Sequence, residues 1–139
     1  MEINWLGLAS AAATFLGVWV GHVSVRRIER EVDRIWIPST LALFLGTGFL
    51  AASFLTPNLV LSAICGIIAV TLLWDALELA VRQPDRVKRG HAPANPHNPR
   101  HARILATYPG ATTVDLLDRD PRGFPYSAEE LASLADGSR

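Results

Sequence analysis

Three histidines crowd one short stretch of this chain: His91, His97 and His101 lie in DRVKRGHAPANPHNPRH, residues 85–101. Imidazoles gathered this closely raise the question of a bound metal. A structural zinc site sets its ligands at short, regular separations and usually adds thiolates or carboxylates. Here the separations are irregular, prolines hold the segment extended, and no carboxylate falls between the histidines. The one cysteine, Cys65, lies inside an apolar run. It offers neither an internal disulfide nor a thiolate cage, and reads as a small apolar residue in a helix.

Asp75 and Glu78 form a second candidate, three residues apart on one helical face directly after Trp74. Ionisable groups in a membrane span are costly and often functional. A proton or cation path, however, needs charged groups deeper in the membrane. The deeper parts of the apolar runs supply hydroxyls such as Ser10, Thr14, Thr47, Ser53, Ser62 and Thr71, and no charged relay. Pairing of the two acids with Arg26 or Arg27 at the membrane edge is the expectation. His22 closes the first apolar run and is the one cofactor-binding candidate, as a ligand to haem iron or chlorophyll magnesium, or as a contact to a quinone. A bis-histidine haem needs a second histidine at that depth, and the sequence has none. An interfacial, hydrogen-bonded imidazole with no cofactor is expected. Phosphate-binding glycine loops, nucleophile elbows and kinase signatures are missing, and Asp115, Asp118 and Asp120 lack the spacing of a calcium loop. The chain reads as a non-enzyme.

These groups are held by three uncharged runs. Half of the 139 residues are apolar, and 13 basic residues balance 13 acidic ones, so no global charge draws nucleic acid. About 20 residues at 1.5 Å each cross a hydrocarbon core of about 30 Å. The sequence therefore reads as an all-α integral membrane protein with three transmembrane helices, at about 3–23, 35–55 and 59–81. An extended, mostly irregular cytoplasmic tail follows. The first run reads as a retained anchor, since no basic residue precedes it and RRIEREVDR follows it. Pro38 falls in the first turn of the second span, where a missing N–H costs least. Thr56-Pro57-Asn58 leaves only three residues between the second and third spans, which forces an antiparallel hairpin.

Orientation follows from lysine and arginine beside the spans. Arg26, Arg27, Arg30 and Arg34 occupy the first loop, and Arg82, Arg86, Lys88 and Arg89 follow the third span, while the other side has none. The N-terminus is expected outside and the C-terminus in the cytoplasm, in a bacterial inner membrane. Trp19, Trp36 and Trp74 mark the inner edge and Trp5 the outer one. Ala9, Ala13, Gly17 and Gly21 recur at every fourth position of the first span, a groove for close helix approach, with Gly46, Gly48, Ser62 and Gly66 as partners. Val25, Ile28, Val32 and Ile35 form an apolar stripe on the first loop, either lying in the interface or prolonging the first helix.

The stretch RVKRGHAPANP resembles the closing motif of a family of small bacterial three-span membrane proteins of unknown function. That motif runs Arg-Val-x-Lys-Gly-x-x-Pro-x-Asn-Pro. The positions that carry the likeness are Arg86, Val87, Lys88, Gly90, Pro93, Asn95 and Pro96, together with Glu78, His22 and Trp36. His91 and Ala92 replace an aromatic pair, Val23 replaces a proline, and the residues beyond Pro96 are an extension. The resemblance implies architecture and no activity. Physically, Arg86, Lys88 and Arg89 can meet anionic head groups, and Gly90 can end the third helix in a left-handed cap.

Three parts follow: a transmembrane domain over 1–84, a basic, proline-rich linker over 85–100, and a partner-binding tail over 101–139. The tail has a short helix near 128–135, announced by Ser127 and Glu130 in capping-box spacing. Leu105, Tyr108, Phe124, Tyr126, Leu131 and Leu134 make the tail too apolar for a merely solvated extension, so it is expected to lie on a partner. The leading expectation is a non-catalytic accessory subunit of a larger respiratory, photosynthetic or transport complex, packed by its helices and clamped by its tail. A small homo-oligomeric transporter or channel is the alternative, and a pigment- or haem-ligating subunit using His22 is the third.

Overall fold

The computed structural model describes residues 3–115 and 126–136. All regular structure among them is helical: α1 (Trp5–Glu31), α2 (Trp36–Leu55), α3 (Leu59–Leu77), a π-helical turn (Glu78–Arg82), α4 (Gln83–Lys88), α5 (Pro99–Thr107) and α6 (Ala128–Asp136). Asparagine starts three of these helices. Asn4 accepts from the Gly7 N–H at 3.0 Å, Asn58 from Val60 and Leu61 at 3.0 and 3.1 Å, and Asn98 from Arg100 at 3.0 Å. Each side-chain oxygen satisfies donors that a helix start leaves without carbonyl partners.

Three continuous helices are long and apolar enough to cross a membrane, Trp5–Glu31, Trp36–Leu55 and Leu59–Lys88. The protein is a multi-pass membrane protein. Most large apolar side chains of the spans are exposed to the surroundings, including Phe15, Phe44 and Phe54, as lipid-facing residues must be. Helix α3 is the central element and packs against both α1 and α2. Gly46 lets α2 approach Leu73, where an added Cβ would sit 2.8 Å from the Leu73 Cγ. Near the other end, Ser53 and Ser62 donate to each other's backbone carbonyls, both at 2.8 Å. Ser39 donates to the Ala76 carbonyl at 3.1 Å. Interhelical hydroxyl bonds of this kind supply part of the association that the hydrophobic effect cannot supply in lipid.

The first helix does not stop at the membrane edge. It runs on to Glu31, and Val25 and Ile28 on it, with Val32 and Ile35 just beyond, pack around Leu79. The third helix likewise continues past residue 81, through the π turn to Lys88. Its end is a Schellman turn: His91 N–H donates to Arg86 at 2.8 Å, Gly90 N–H to Val87 at 3.0 Å, and Gly90 has φ +69°. The segment read as an extended linker over 85–100 is therefore a helix end, a reversal and an asparagine-rich turn. Beyond it, α5 turns Ile104 and His101 inward, and Val87, Ala94 and Ile104 form a second small core. Thus the start of the tail packs on this chain itself, because α5 presents an apolar face that α4 can cover.

Candidate functional site

The polar centre of the molecule begins with one proline. Pro84 has no N–H, so the Ala80 carbonyl four residues earlier loses its helical donor. The chain answers with the π turn, in which the Gln83 N–H reaches back five residues to the Glu78 carbonyl. That leaves the Leu79 carbonyl unserved as well. Arg100, from α5, fills both positions: one guanidinium nitrogen donates to Leu79 at 3.1 Å and the other to Ala80 at 3.4 Å.

The nitrogen on Leu79 also donates to Glu29 Oε1 at 2.7 Å. Glu29 is buried on α1, and the same oxygen is bonded by His101 Nε2. The His101 Nδ1 accepts the Asn95 N–H at 2.9 Å, so the ring proton must sit on Nε2 and point at Glu29. Asn95 is itself pinned: its amide donates to Asp33 at 3.2 Å, and its side-chain oxygen accepts from His97 N–H at 2.9 Å. One lock therefore joins α1, the π turn, the 91–98 loop and α5. With the imidazole fully buried and both ring nitrogens engaged, His101 ties α5 to α1 and to the 91–98 loop.

Glu78 belongs to a neighbouring knot. It is buried, pairs with Arg86 at 3.1 Å, and accepts from Gln83 at 3.4 Å. The expected pairing of Asp75 and Glu78 with Arg26 or Arg27 is thus corrected. Arg27 pairs with Glu31 one turn along its own helix at 3.1 Å, while Arg26 and Arg30 reach Asp115 at 3.7 and 3.2 Å. The reason is directional: the α1 arginines lie opposite the Gly21, Val25, Glu29 face that α1 buries. Asp75 instead rests on Gly21, where a Cβ would stand 2.8 Å from both carboxylate oxygens.

The small-residue stripe of α1 faces α3, and its partners there are side chains rather than glycines. Gly17 lies against Thr71, and Ala9, Ala13, Gly17 and Gly21 share with α3 a groove of about 510 Å³. Asp75 stands at one end of it. Gly66 lies against Ser53 of α2, whereas a Cβ added at Gly48 would meet nothing within 4 Å. His22 is exposed at the end of the first span, within electrostatic reach of Asp75. Lys88 pairs with Asp85 at 2.8 Å and sits 5.5 Å over the Tyr108 ring, and Arg89 is exposed. Leu105 packs on the second core. Ser127 and Glu130 make both hydrogen bonds of the capping box, and Tyr126, Leu131 and Leu134 lie on or beside α6. Phe124, Asp118 and Asp120 fall outside the described residues.

Residues 4–98 match a domain of unknown function, DUF4491. The chain belongs to the DUF4491 family. No curated protein and no solved structure matches it. The matched region of this DUF4491 protein ends at Asn98, the cap of α5. It holds Glu29, Glu78, Gln83 and Asn95, while Arg100 and His101 follow it.

The lock of this DUF4491 protein escaped the sequence reading, although two signals were present. Glu29 falls among Val25, Ile28 and Val32 at helical spacing, which puts a carboxylate inside an apolar stripe. Asn98-Pro99 pairs a preferred cap with a preferred first residue, and so announces a helix. Neither signal names the partner 72 residues away.

Proposed function

We propose that this DUF4491 protein is a non-catalytic accessory subunit of a larger bacterial inner-membrane complex, with its N-terminus outside and its C-terminus in the cytoplasm. The observation that carries this reading is the α1–α3 groove with Asp75 at its cytoplasmic end. The walls are small or apolar, so a helix of another subunit can approach closely. The carboxylate makes no hydrogen bond or ion pair among the described residues. A partner span bearing a lysine or arginine at that depth complements it. The buried ion pairs below the bundle fit a part whose task is a fixed shape, since they hold the cytoplasmic side against the helices.

The orientation rests on the arginines flanking the spans. The expected clamp is narrowed by the structure, because α5 is committed to its own chain. Among the described residues, Tyr108 and the surface around α6, with Leu131 and Leu134, are left for a partner on the cytoplasmic side.

Photo-crosslinking in cells tests the proposal. A benzophenone side chain at Leu16, which lines the groove, should link to one larger membrane subunit, and the same group at Phe54 should not. Asp75→Asn should abolish the Leu16 product and Asp75→Glu should restore it. A Leu16 product made only with a second copy of this chain, together with a stable homo-oligomer in mild detergent, would overturn the reading in favour of a self-assembling transporter.

A further inference from the structure

Arg82, Arg86 and Arg89 recur at i, i+4 and i+7 along the cytoplasmic continuation of α3, and so share one face. The Schellman turn at Gly90 then reverses the chain and brings His91 back beside Arg86, whose carbonyl it contacts. These four residues and Asp85 line a concave pocket of about 360 Å³. Asp85 does not cancel the pocket, since Lys88 holds its carboxylate at 2.8 Å. Arg86 spends one guanidinium nitrogen on Glu78 at 3.1 Å and keeps the others. Neither Arg82 nor Arg89 has an ion pair among the described residues. Arg82 stacks over Trp74 at 5.4 Å, and that exposed ring stands at the end of the third span.

We propose that this pocket is a binding site for a phosphate group, and that its ordinary occupant is the headgroup phosphate of an anionic phospholipid. Guanidinium forks match phosphate oxygens in geometry as well as charge. Basic pockets at the cytoplasmic ends of spans are suited to anionic headgroups. Trp74 is of the residue type that marks headgroup depth. The pocket differs from diffuse attraction to a charged surface in its set backbone frame. The π turn and the Gly90 reversal set where its arginines and His91 leave the backbone, and the Glu78–Arg86 pair holds one guanidinium in place. The inference needs the three spans and the reversal at Gly90, and does not depend on the accessory-subunit reading.

Native mass spectrometry of the whole protein, released from phosphatidylcholine nanodiscs doped with phosphatidylglycerol, tests it. The native protein should retain phosphatidylglycerol in preference to phosphatidylcholine. Arg82→Ala with Arg89→Ala should weaken that retention about thirtyfold, the effect of two headgroup-facing arginines. The charge-matched pair Arg27→Ala with Arg34→Ala should leave it nearly unchanged. Arg89→Glu alone gives a second route if the double variant folds poorly. Displacement of the lipid by millimolar inorganic phosphate, lost in the same variants, would show that the pocket also takes soluble phosphate. Equal loss in the two double variants would reduce the effect to surface charge and overturn the site. So would retention with no preference for phosphatidylglycerol, if inorganic phosphate also failed to bind.

Discussion

Replacing Arg100 by alanine removes three bonds at once: the charged contact to Glu29 and the donors to Leu79 and Ala80. Breaking a buried ion pair from one side costs about 3–5 kcal/mol, because the remaining charge stays buried. The Leu79 carbonyl, in a residue only 1% exposed, adds the cost of an unserved buried acceptor, about 1–3 kcal/mol. Two facts reduce the sum. The Arg100 side chain is 28% exposed, so water screens part of its charge, and His101 still donates to Glu29. A net loss of about 3 kcal/mol is therefore expected, equivalent to a local opening equilibrium about 150-fold larger. Hydrogen–deuterium exchange reads this directly at the amides of residues 102–107, which belong to α5. Protection there should fall about 150-fold, while the amides at the centre of α3 should be unaffected. Arg103→Ala on the same helix, whose one hydrogen bond is to its own Pro99 carbonyl, serves as the control and should change protection less than about threefold. If Arg100→Ala behaves like that control, the guanidinium does not hold the lock and the account of the π turn fails with it.

Three further expectations follow from the same geometry. Pro84→Ala restores an N–H to the Ala80 carbonyl, so the cost of Arg100→Ala should shrink by about 1 kcal/mol in the double variant, and strict additivity in a double-mutant cycle would contradict this. Gly90→Ala places a Cβ against the Gly110 carbonyl oxygen at a positive φ, and should cost about 2 kcal/mol or more, seen as a lowered thermal unfolding midpoint in detergent. Ser53→Ala with Ser62→Ala removes the reciprocal bonds between α2 and α3. It should lower stability by about 1 kcal/mol, measurable as faster labelling of the buried thiol of Cys65 during steric-trap or denaturant unfolding.

The parts of the fold that were legible in the sequence are those encoded by continuous, local patterns. Three uncharged runs mark the helices that can cross a membrane, and Thr56-Pro57-Asn58 marks the hairpin. Gly90 after Lys88 and Arg89 marks the cap, and Ser127 with Glu130 marks the start of α6. The lock was not legible in this way. Its members come from residues 29, 78–84, 95 and 100–101, and each has an ordinary local explanation taken alone. A glutamate on a charged loop reads as solvated, and a histidine among prolines reads as part of a spacer. Only the fold shows that Val25, Glu29 and Val32 continue one buried face, and that Pro84 leaves carbonyls which an arginine far along the chain must serve. The arginines at 82, 86 and 89 were visible as charge. Their arrangement as a pocket was not, because it depends on the reversal at Gly90 and on which acid claims which base.

The π turn also sets a phase. A π turn accommodates one residue more than an α-helix would place in the same length, and each residue advances an α-helix by about 100°. If the same residues wound as a regular α-helix instead, everything after the turn would be rotated by roughly that angle. Val87 would then leave Ile104, the Arg86–Glu78 pair would part, and the arginine face would swing around the helix away from Trp74. The extra residue held in the π turn thus sets the rotation of the whole segment after it relative to the spans, with no change in the composition of either.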